Sequence, residues 1–259
     1  MKWNKKNLAV IVVTALLLVC FLLYFILTNG QSYRQVKYTV RYHSDTLVTG
    51  KDLALYAKKH CKPIQGELKR KVSLPQVESQ IRRWPYCDSV KITSDIRGNV
   101  QVEMVQCKVL VRVFTSEGES YYIARQGASG KMVPYLEGRP LRVLVANGAV
   151  TERYHPSFNM ELQDTSVCRD LFEIANFIDR HPFWRLQIAQ IHVERKGMYR
   201  LAPLVGTHLI TLGDARNLEE KFDNLWNLYK QGFNVAGWYR YAQVNLQFGD
   251  KIPCEKRSF

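Results

Sequence analysis

The sequence lacks the short motifs that mark common catalytic, metal and nucleotide sites. Its six cysteines include no CxxC pair and no zinc-like spacing with histidine, which argues against a zinc site or a dithiol redox centre. No glycine-bearing segment has the spacing of a phosphate loop. Cys168 falls on a predicted helix, where a packed thiol is favoured over a nucleophile. We therefore predict a non-enzyme with no catalytic, metal or cofactor site, and keep an extracytoplasmic cell-wall enzyme as the least favoured alternative.

Charge is absent from a long stretch near the N-terminus, because no charged residue lies between Lys6 and Arg34. The apolar run at residues 8–28 is close to the roughly 20 residues that cross hydrocarbon. It predicts a single transmembrane helix between a cytoplasmic stub at residues 1–7 and a linker at residues 29–35. The alternative is a cleaved secretory signal, whose apolar core is shorter, roughly 7 to 15 residues, and ends at a small-residue cleavage site that this run lacks.

Basic residues outnumber acidic ones, and their position near the N-terminus predicts the orientation of the chain in the membrane. The N-terminal flank carries Lys2, Lys5 and Lys6, which places the N-terminus in the cytoplasm and the rest of the chain in the periplasm. Overall, 37 basic residues oppose 23 acidic ones, for a net charge of +14, and the excess is concentrated between Val36 and Val109. A solvated basic face and attraction to anionic lipid or an acidic partner both stay open. The expected topology argues against nucleic acid as a partner.

Five cysteines follow the apolar run, at Cys61, Cys87, Cys107, Cys168 and Cys254. An odd number cannot all pair within one chain, and we expect most of them to be small buried residues. A single disulfide, which an oxidising compartment would permit, stays open because the sequence does not identify its partners.

Residues 36–109 have the pattern of a small α+β domain. Strict alternation of apolar and polar residues predicts half-buried strands, and apolar residues at helical spacing predict two helices. The second helix has a proline-bearing start signal and stops at Pro85, and the last two strands are joined at Gly98 by a turn with hairpin chemistry. The order is strand, helix, helix, strand, strand, at residues 36–42, 50–61, 74–84, 89–96 and 99–109.

Residues 110–252 are predicted to form a mostly β domain with two or more helices. One helix is expected over residues 167–180, where an apolar stripe recurs at helical spacing. A second helix begins at Asn217, because Glu220 three residues later completes the capping-box pattern. The final strand is predicted over Tyr241–Phe248, with one face formed by Ala242, Val244, Leu246 and Phe248.

Several segments resemble those of known families. Residues 84–91 (WPYCDSVK) resemble the segment of a POTRA domain where the second helix leads into its strand. Residues 122–127 (YIARQG), 206–213 (GTHLITLG) and 243–248 (QVNLQF) resemble segments of the FtsQ/DivIB cell-division family. The resemblance implies a POTRA domain at 36–109, an FtsQ-type β domain at 110–252 and a C-terminal tail at 253–259. The expected fold class is α+β with a single N-terminal transmembrane helix.

The resemblance also implies a function. Members of this family are bitopic scaffolds of the division septum that bind the FtsB/FtsL pair and help to regulate septal peptidoglycan synthesis. Their C-terminal strand lies at a sheet edge, where an extended partner segment can add to it. The corresponding residues here are Trp238, Tyr239, Tyr241, Gln243, Asn245, Gln247 and Phe248. The alternatives are a buried strand without a binding role, and a different POTRA-bearing envelope component that serves secretion or transport.

Overall fold

The computed structural model describes residues 13–22, 31–43, 45–156, 166–195, 197–249 and 251–257. The chain divides into two compact units. The first comprises Met1–Arg41 and Val48–Val105, and the second comprises Tyr42–Leu47 and Gln106–Phe259. Helices and strands occur in both units, so the predicted α+β class is confirmed.

The N-terminal apolar run was expected to form a transmembrane helix. Residues 13–22 are helical. Residues 8–12 and 23–28 of the run lie outside the described residues. Across the part of the chain that is described, no helix is both long and apolar enough to span a membrane. This finding contradicts the prediction of a single transmembrane helix.

Residues 35–106 of the chain form a three-stranded sheet with two α-helices in the first unit. Its strands run in the order β1-β3-β2, and β1 pairs in parallel with β3. The strand, helix, helix, strand, strand order matches the one expected from the sequence. The elements are β1 (Gln35–Arg41), α1 (Gly50–His60), a 3-10 turn (Lys69–Lys71), α2 (Leu74–Arg82), β2 (Cys87–Ser94) and β3 (Asn99–Gln106).

Helix α1 has a reciprocal N-terminal cap that the sequence encodes locally. The Thr49 hydroxyl accepts a hydrogen bond from the Asp52 N–H, and the Asp52 carboxylate accepts one from the Thr49 N–H. Such caps satisfy donors that the first turn of a helix leaves unpaired. The same helix buries Leu53 and Ala57, and complete burial of a leucine contributes roughly 1.5–3 kcal/mol.

The second unit is built on a nine-stranded sheet with the order β12-β11-β10-β9-β8-β7-β4-β5-β6. The predicted strand over residues 99–109 is divided here, because β3 ends at Gln106 and β4 begins at Lys108 in the larger sheet. The strands are β4 (Lys108–Phe114), β5 (Ser120–Gln126), β6 (Ser129–Pro134), β7 (Leu144–Gly148), β8 (Ile188–Val193), β9 (Tyr199–Pro203), β10 (Leu209–Gly213), β11 (Tyr241–Asn245) and β12 (Cys254–Lys256).

Helices follow β7 and β10. They are α3 (Val167–Arg180), α4 (Pro182–Gln187) and α5 (Leu218–Asn227), which continues into a π-helical segment (Leu228–Phe233) and a short helix (Asn234–Ala236). The α3 limits agree with the prediction. The α5 cap does not, because Asn217 has a φ of 50° and its side chain makes no capping bond. The left-handed backbone of Asn217 differs from the extended backbone that N-cap residues typically adopt.

One hydrophobic core joins these helices to the sheet of the second unit. The α3 residues Leu171 and Ile174 are fully buried in the same cluster as Val111 of β4 and Ile191 of β8. The cluster also includes Val244 of β11. Strand β11 is thus part of the core that the helices cover.

Candidate functional site

The strand with the predicted partner-binding residues is not at the edge of the sheet. Strand β11 pairs in parallel with β10 on one side and antiparallel with β12 on the other. The chain turns back after β11, and the Asn245 N–H donates to the Pro253 carbonyl at 3.0 Å. The expectation that the strand over Tyr241–Phe248 forms the edge is therefore wrong. The edge strand is β12, inside the segment that was expected to be a tail.

The edge formed by β12 is short and exposed. The strand has three residues, of which Glu255 and Lys256 are exposed. It is the terminal strand of the nine-stranded sheet in the described part of the chain. Outward-facing N–H and C=O groups of an edge strand can pair with an added strand. The geometry therefore offers backbone hydrogen bonding at β12, one strand farther out than expected.

Two of the predicted aromatic residues support the sheet from inside. Tyr241 stacks on Phe233 with ring centroids 5.3 Å apart, and Trp238 lies 4.7 Å from the Tyr229 ring and 5.5 Å from the Phe233 ring. Trp238 and Tyr241 are both half-buried. Aromatic pairs at such distances add about 0.5–1.5 kcal/mol to the burial of their surface. Both side chains therefore hold the C-terminal strands on the π-helical segment.

The polar residues of the predicted set bind within the chain. Gln243 donates from Nε2 to the Thr211 hydroxyl at 2.8 Å. The Asn245 side-chain oxygen accepts a hydrogen bond from the Gln247 N–H at 3.0 Å. These contacts fix the path of the strand and the turn that follows it.

The remaining two predicted residues present large aromatic surfaces to solvent. Tyr239 is 62% exposed and Phe248 is 61% exposed. The sequence alternation had placed Phe248 on the buried face of the final strand, but β11 ends at Asn245 and Phe248 lies in the following turn. Because the Tyr241 end of β11 opposes Lys256, Tyr239 and Phe248 lie towards opposite ends of the β11–β12 pair.

A buried histidine lies within the aromatic cluster behind these strands. His208 is 1% exposed, and its Nε2 shares a 2.8 Å hydrogen bond with the Tyr229 hydroxyl. Burial lowers the pKa of His208 to about 4, because a charged imidazole loses its hydration there. Burial also raises the pKa of Tyr229. Both groups are therefore neutral at neutral pH, and the cluster serves as packing.

The best nucleophile candidate from the sequence is a core residue. Cys168 is fully buried at the start of α3, and its sulfur lies 3.0 Å from the Tyr121 hydroxyl. Burial raises the pKa of the Cys168 thiol to about 12, so the reactive thiolate is scarce at neutral pH. All six cysteines are free thiols. In the described ranges, no cluster of three or more His, Cys, Asp or Glu side chains is placed to bind a metal ion.

Sequence reasoning missed β12 as part of the site. Cys254–Lys256 is too short for periodicity to identify a strand, which needs about four residues of alternation. The available signal was weaker, namely a turn-forming Gly249 and Pro253 between Phe248 and Cys254.

The comparison with protein families covers the unit that contains this site. The family model described as FtsQ/DivIB, C-terminal related matches residues 108–255, which is more than half of the chain. The matched range begins at the first residue of β4 and ends within β12. A search of the curated proteins found no match to the chain.

Proposed function

Since the chain belongs to the FtsQ/DivIB, C-terminal related family, we propose that it is a cell-division scaffold that binds the FtsB/FtsL pair at the septum. In this proposal it helps to regulate septal peptidoglycan synthesis and leaves the chemistry to its partners. The family itself indicates a role in cell division and a location at the division septum.

The observation that carries the proposal is the exposed edge at β12. An extended partner segment would add to β12 as a further strand, and its main-chain groups would bind those of the edge. Tyr239 and Phe248 would contact its side chains at either end of the strand pair, as exposed aromatic residues do at many interfaces. Trp238, Tyr241, Gln243, Asn245 and Gln247 would support the surface from behind or beside it.

The first unit is proposed to be a POTRA domain over residues 36–109. Its strand, helix, helix, strand, strand order and its three-stranded sheet with a parallel β1–β3 pair support the proposal. The FtsQ-type β domain is proposed over residues 110–252, with β12 as an addition from the segment at 253–259.

The proposal can be tested with two exposed aromatic residues. The double substitution Tyr239→Asp and Phe248→Asp removes apolar contact surface and leaves the buried cluster intact. We expect capture of co-expressed FtsB and FtsL by the full chain to weaken at least tenfold, about 1.4 kcal/mol, with an unchanged circular dichroism spectrum. The matched control is Ile96→Asp, since Ile96 is 87% exposed and belongs to the first unit. Undiminished capture by the double variant would show that the partner binds elsewhere.

A further inference from the structure

A groove of about 730 Å³ lies in the second unit, and none of its lining residues belongs to β10, β11 or β12. Its lining consists of residues at the start of β4, β7 and β8, together with residues of α3 and α4. Its volume is in the range of sites that hold a ligand or several side chains of a peptide, roughly 300–1,000 Å³. We call it the α4 groove.

The inner surface of the α4 groove is apolar. Leu110, Leu144, Ile178 and Ile188 contribute to its lining, and each belongs to or adjoins the core of the second unit. A partner side chain that enters the groove would therefore contact a fixed hydrocarbon surface. Burial of apolar side chains against such a surface favours binding.

The apolar lining extends to the solvent-exposed rim of the groove. Leu186 of α4 and Leu204 after β9 both line the groove, and each is 70% exposed. The two segments are joined, because the Leu204 N–H donates to the Gln187 carbonyl at 2.6 Å. Contiguous exposed apolar surface of this kind marks sites of interaction. The two leucines thus form one lip of the α4 groove.

Two arginines on the groove provide unpaired positive charge. Arg142 and Arg185 are exposed lining residues, and neither guanidinium has an ion pair or a hydrogen bond to another described residue. An arginine guanidinium presents donors that match a carboxylate in two-point geometry. Both side chains are therefore available to an acidic partner.

The other charged groups of the α4 groove are largely balanced. Lys108 donates to Asp179 at 2.6 Å, and Arg125 behind it donates to the same oxygen at 2.9 Å. Asp45 is the remaining carboxylate on the lining. With Arg142 and Arg185, four cationic groups oppose two carboxylates in and behind the groove. The local field therefore favours an anionic partner.

We propose that the α4 groove binds an acidic, apolar peptide segment of a partner protein. Apolar side chains of the segment enter the groove against Ile178 and Ile188 and contact the Leu186 and Leu204 lip. Its carboxylates pair with Arg142 and Arg185. This surface is separate from the β12 edge, and the proposal does not depend on the function proposed for that edge.

The probe is a fluorescent peptide about 12 residues long, which spans roughly 40 Å when extended, with leucine and glutamate in alternation. The full chain is titrated against it and against a counterpart with lysine in place of glutamate, and binding is followed by fluorescence anisotropy. We expect the glutamate peptide to bind at least tenfold more tightly than the lysine peptide. Equal binding of the two peptides, or no binding of the glutamate peptide, would overturn the proposal.

Charge reversal identifies the site. The double variant Arg142→Glu and Arg185→Glu should bind the glutamate peptide at least tenfold more weakly and gain affinity for the lysine peptide. The matched control, Arg70→Glu with Arg97→Glu, makes the same charge change at exposed residues of the first unit and should bind like the unmodified chain. Equal losses in the two double variants would mean that only net charge matters, which contradicts a groove-specific site.

The apolar contact has its own variant. Leu186→Asp with Leu204→Asp should abolish binding of the glutamate peptide, and thermal unfolding reports whether the chain stays folded. The Tyr239→Asp, Phe248→Asp variant should bind the peptide normally, and the α4 groove variants should still capture FtsB and FtsL. The two surfaces can therefore fail independently.

Discussion

His208 Nε2 lies 2.8 Å from the Tyr229 hydroxyl, whereas His208 Nδ1 is buried with no hydrogen-bond partner in the described part of the chain. An unpaired buried nitrogen lowers stability. It also makes protonation of the ring costly, since a charged imidazole would have one partner and no water. The stability of the packing behind the C-terminal strands therefore depends on pH.

The first expected outcome is a loss of stability in acid that depends on His208. Its pKa is about 4 in the folded chain and 6.5 in its ordinary state, so the unfolded chain binds the proton that the folded chain excludes. The free energy of unfolding should fall as pH falls from about 6.5 to about 4, by up to about 3 kcal/mol. Urea unfolding at several pH values measures this loss.

The comparison that isolates this effect is His208→Gln, which keeps a donor near Tyr229 and does not titrate. Burial raises the pKa of Asp170, which stabilises the chain as pH falls and partly masks the histidine in the unmodified protein. The difference in unfolding free energy between the two proteins removes that contribution. A difference that stays constant from pH 7 to pH 4 would contradict the assigned role of His208.

The second expected outcome concerns the shared carboxylate of Asp179. Asp179→Asn should lower the free energy of unfolding by about 1–3 kcal/mol, because Lys108 and Arg125 would lose their common partner and remain close together. The control is Glu117→Gln, which removes an exposed ion pair with Arg153 and should cost less than about 1 kcal/mol. Chemical denaturation measures both, and equal costs would show that the partial burial of Asp179 has no effect.

The third expected outcome separates steric contact from backbone strain at glycine. Gly148 has a φ of +103°, and a Cβ there would collide with the Val193 carbonyl oxygen of β8. Gly118 has a φ of +88° and open space around its Cβ position. Gly118→Ala should cost about 1–2 kcal/mol for its left-handed backbone, and Gly148→Ala about 3 kcal/mol or more. Similar unfolding midpoints for the two variants would refute the contact.

The fourth expected outcome is slow alkylation of Cys168. Its burial and the raised pKa of its thiol leave little thiolate at pH 8, and alkylating reagents react with the thiolate. Iodoacetamide labelling followed by mass spectrometry should leave Cys168 unmodified in the folded chain and modify it after denaturation. Rapid labelling of the folded chain would reveal local opening at the start of α3.

The sequence predicted elements well where local periodicity and tertiary packing agree. Helix α3 has an apolar stripe in register with the sheet, and Ser166 caps it through a bond from the Cys168 N–H. The predicted α5 cap was wrong because Asn217 has a left-handed backbone and its side chain makes no capping bond.

The sequence predicted part of the β12 surface and nothing of the α4 groove. Tyr239 and Phe248 were identified from a local resemblance, but the edge position of β12 depends on a turn and on pairing with β11. The α4 groove gave no signal in the sequence, because its lining residues extend from Asp45 to Leu204. Only the fold of the second unit brings them together.

Strand β7 has a consequence for how the second unit assembles. It pairs in parallel with β4 on one side and β8 on the other, whereas β4, β5 and β6 pair between sequence neighbours. Hairpins between sequence neighbours form quickly, whereas parallel strands pair slowly because a long connection must first be closed. Hairpin pairing on either side of β7 is therefore expected to precede the insertion of its five residues, Leu144–Gly148, between β4 and β8.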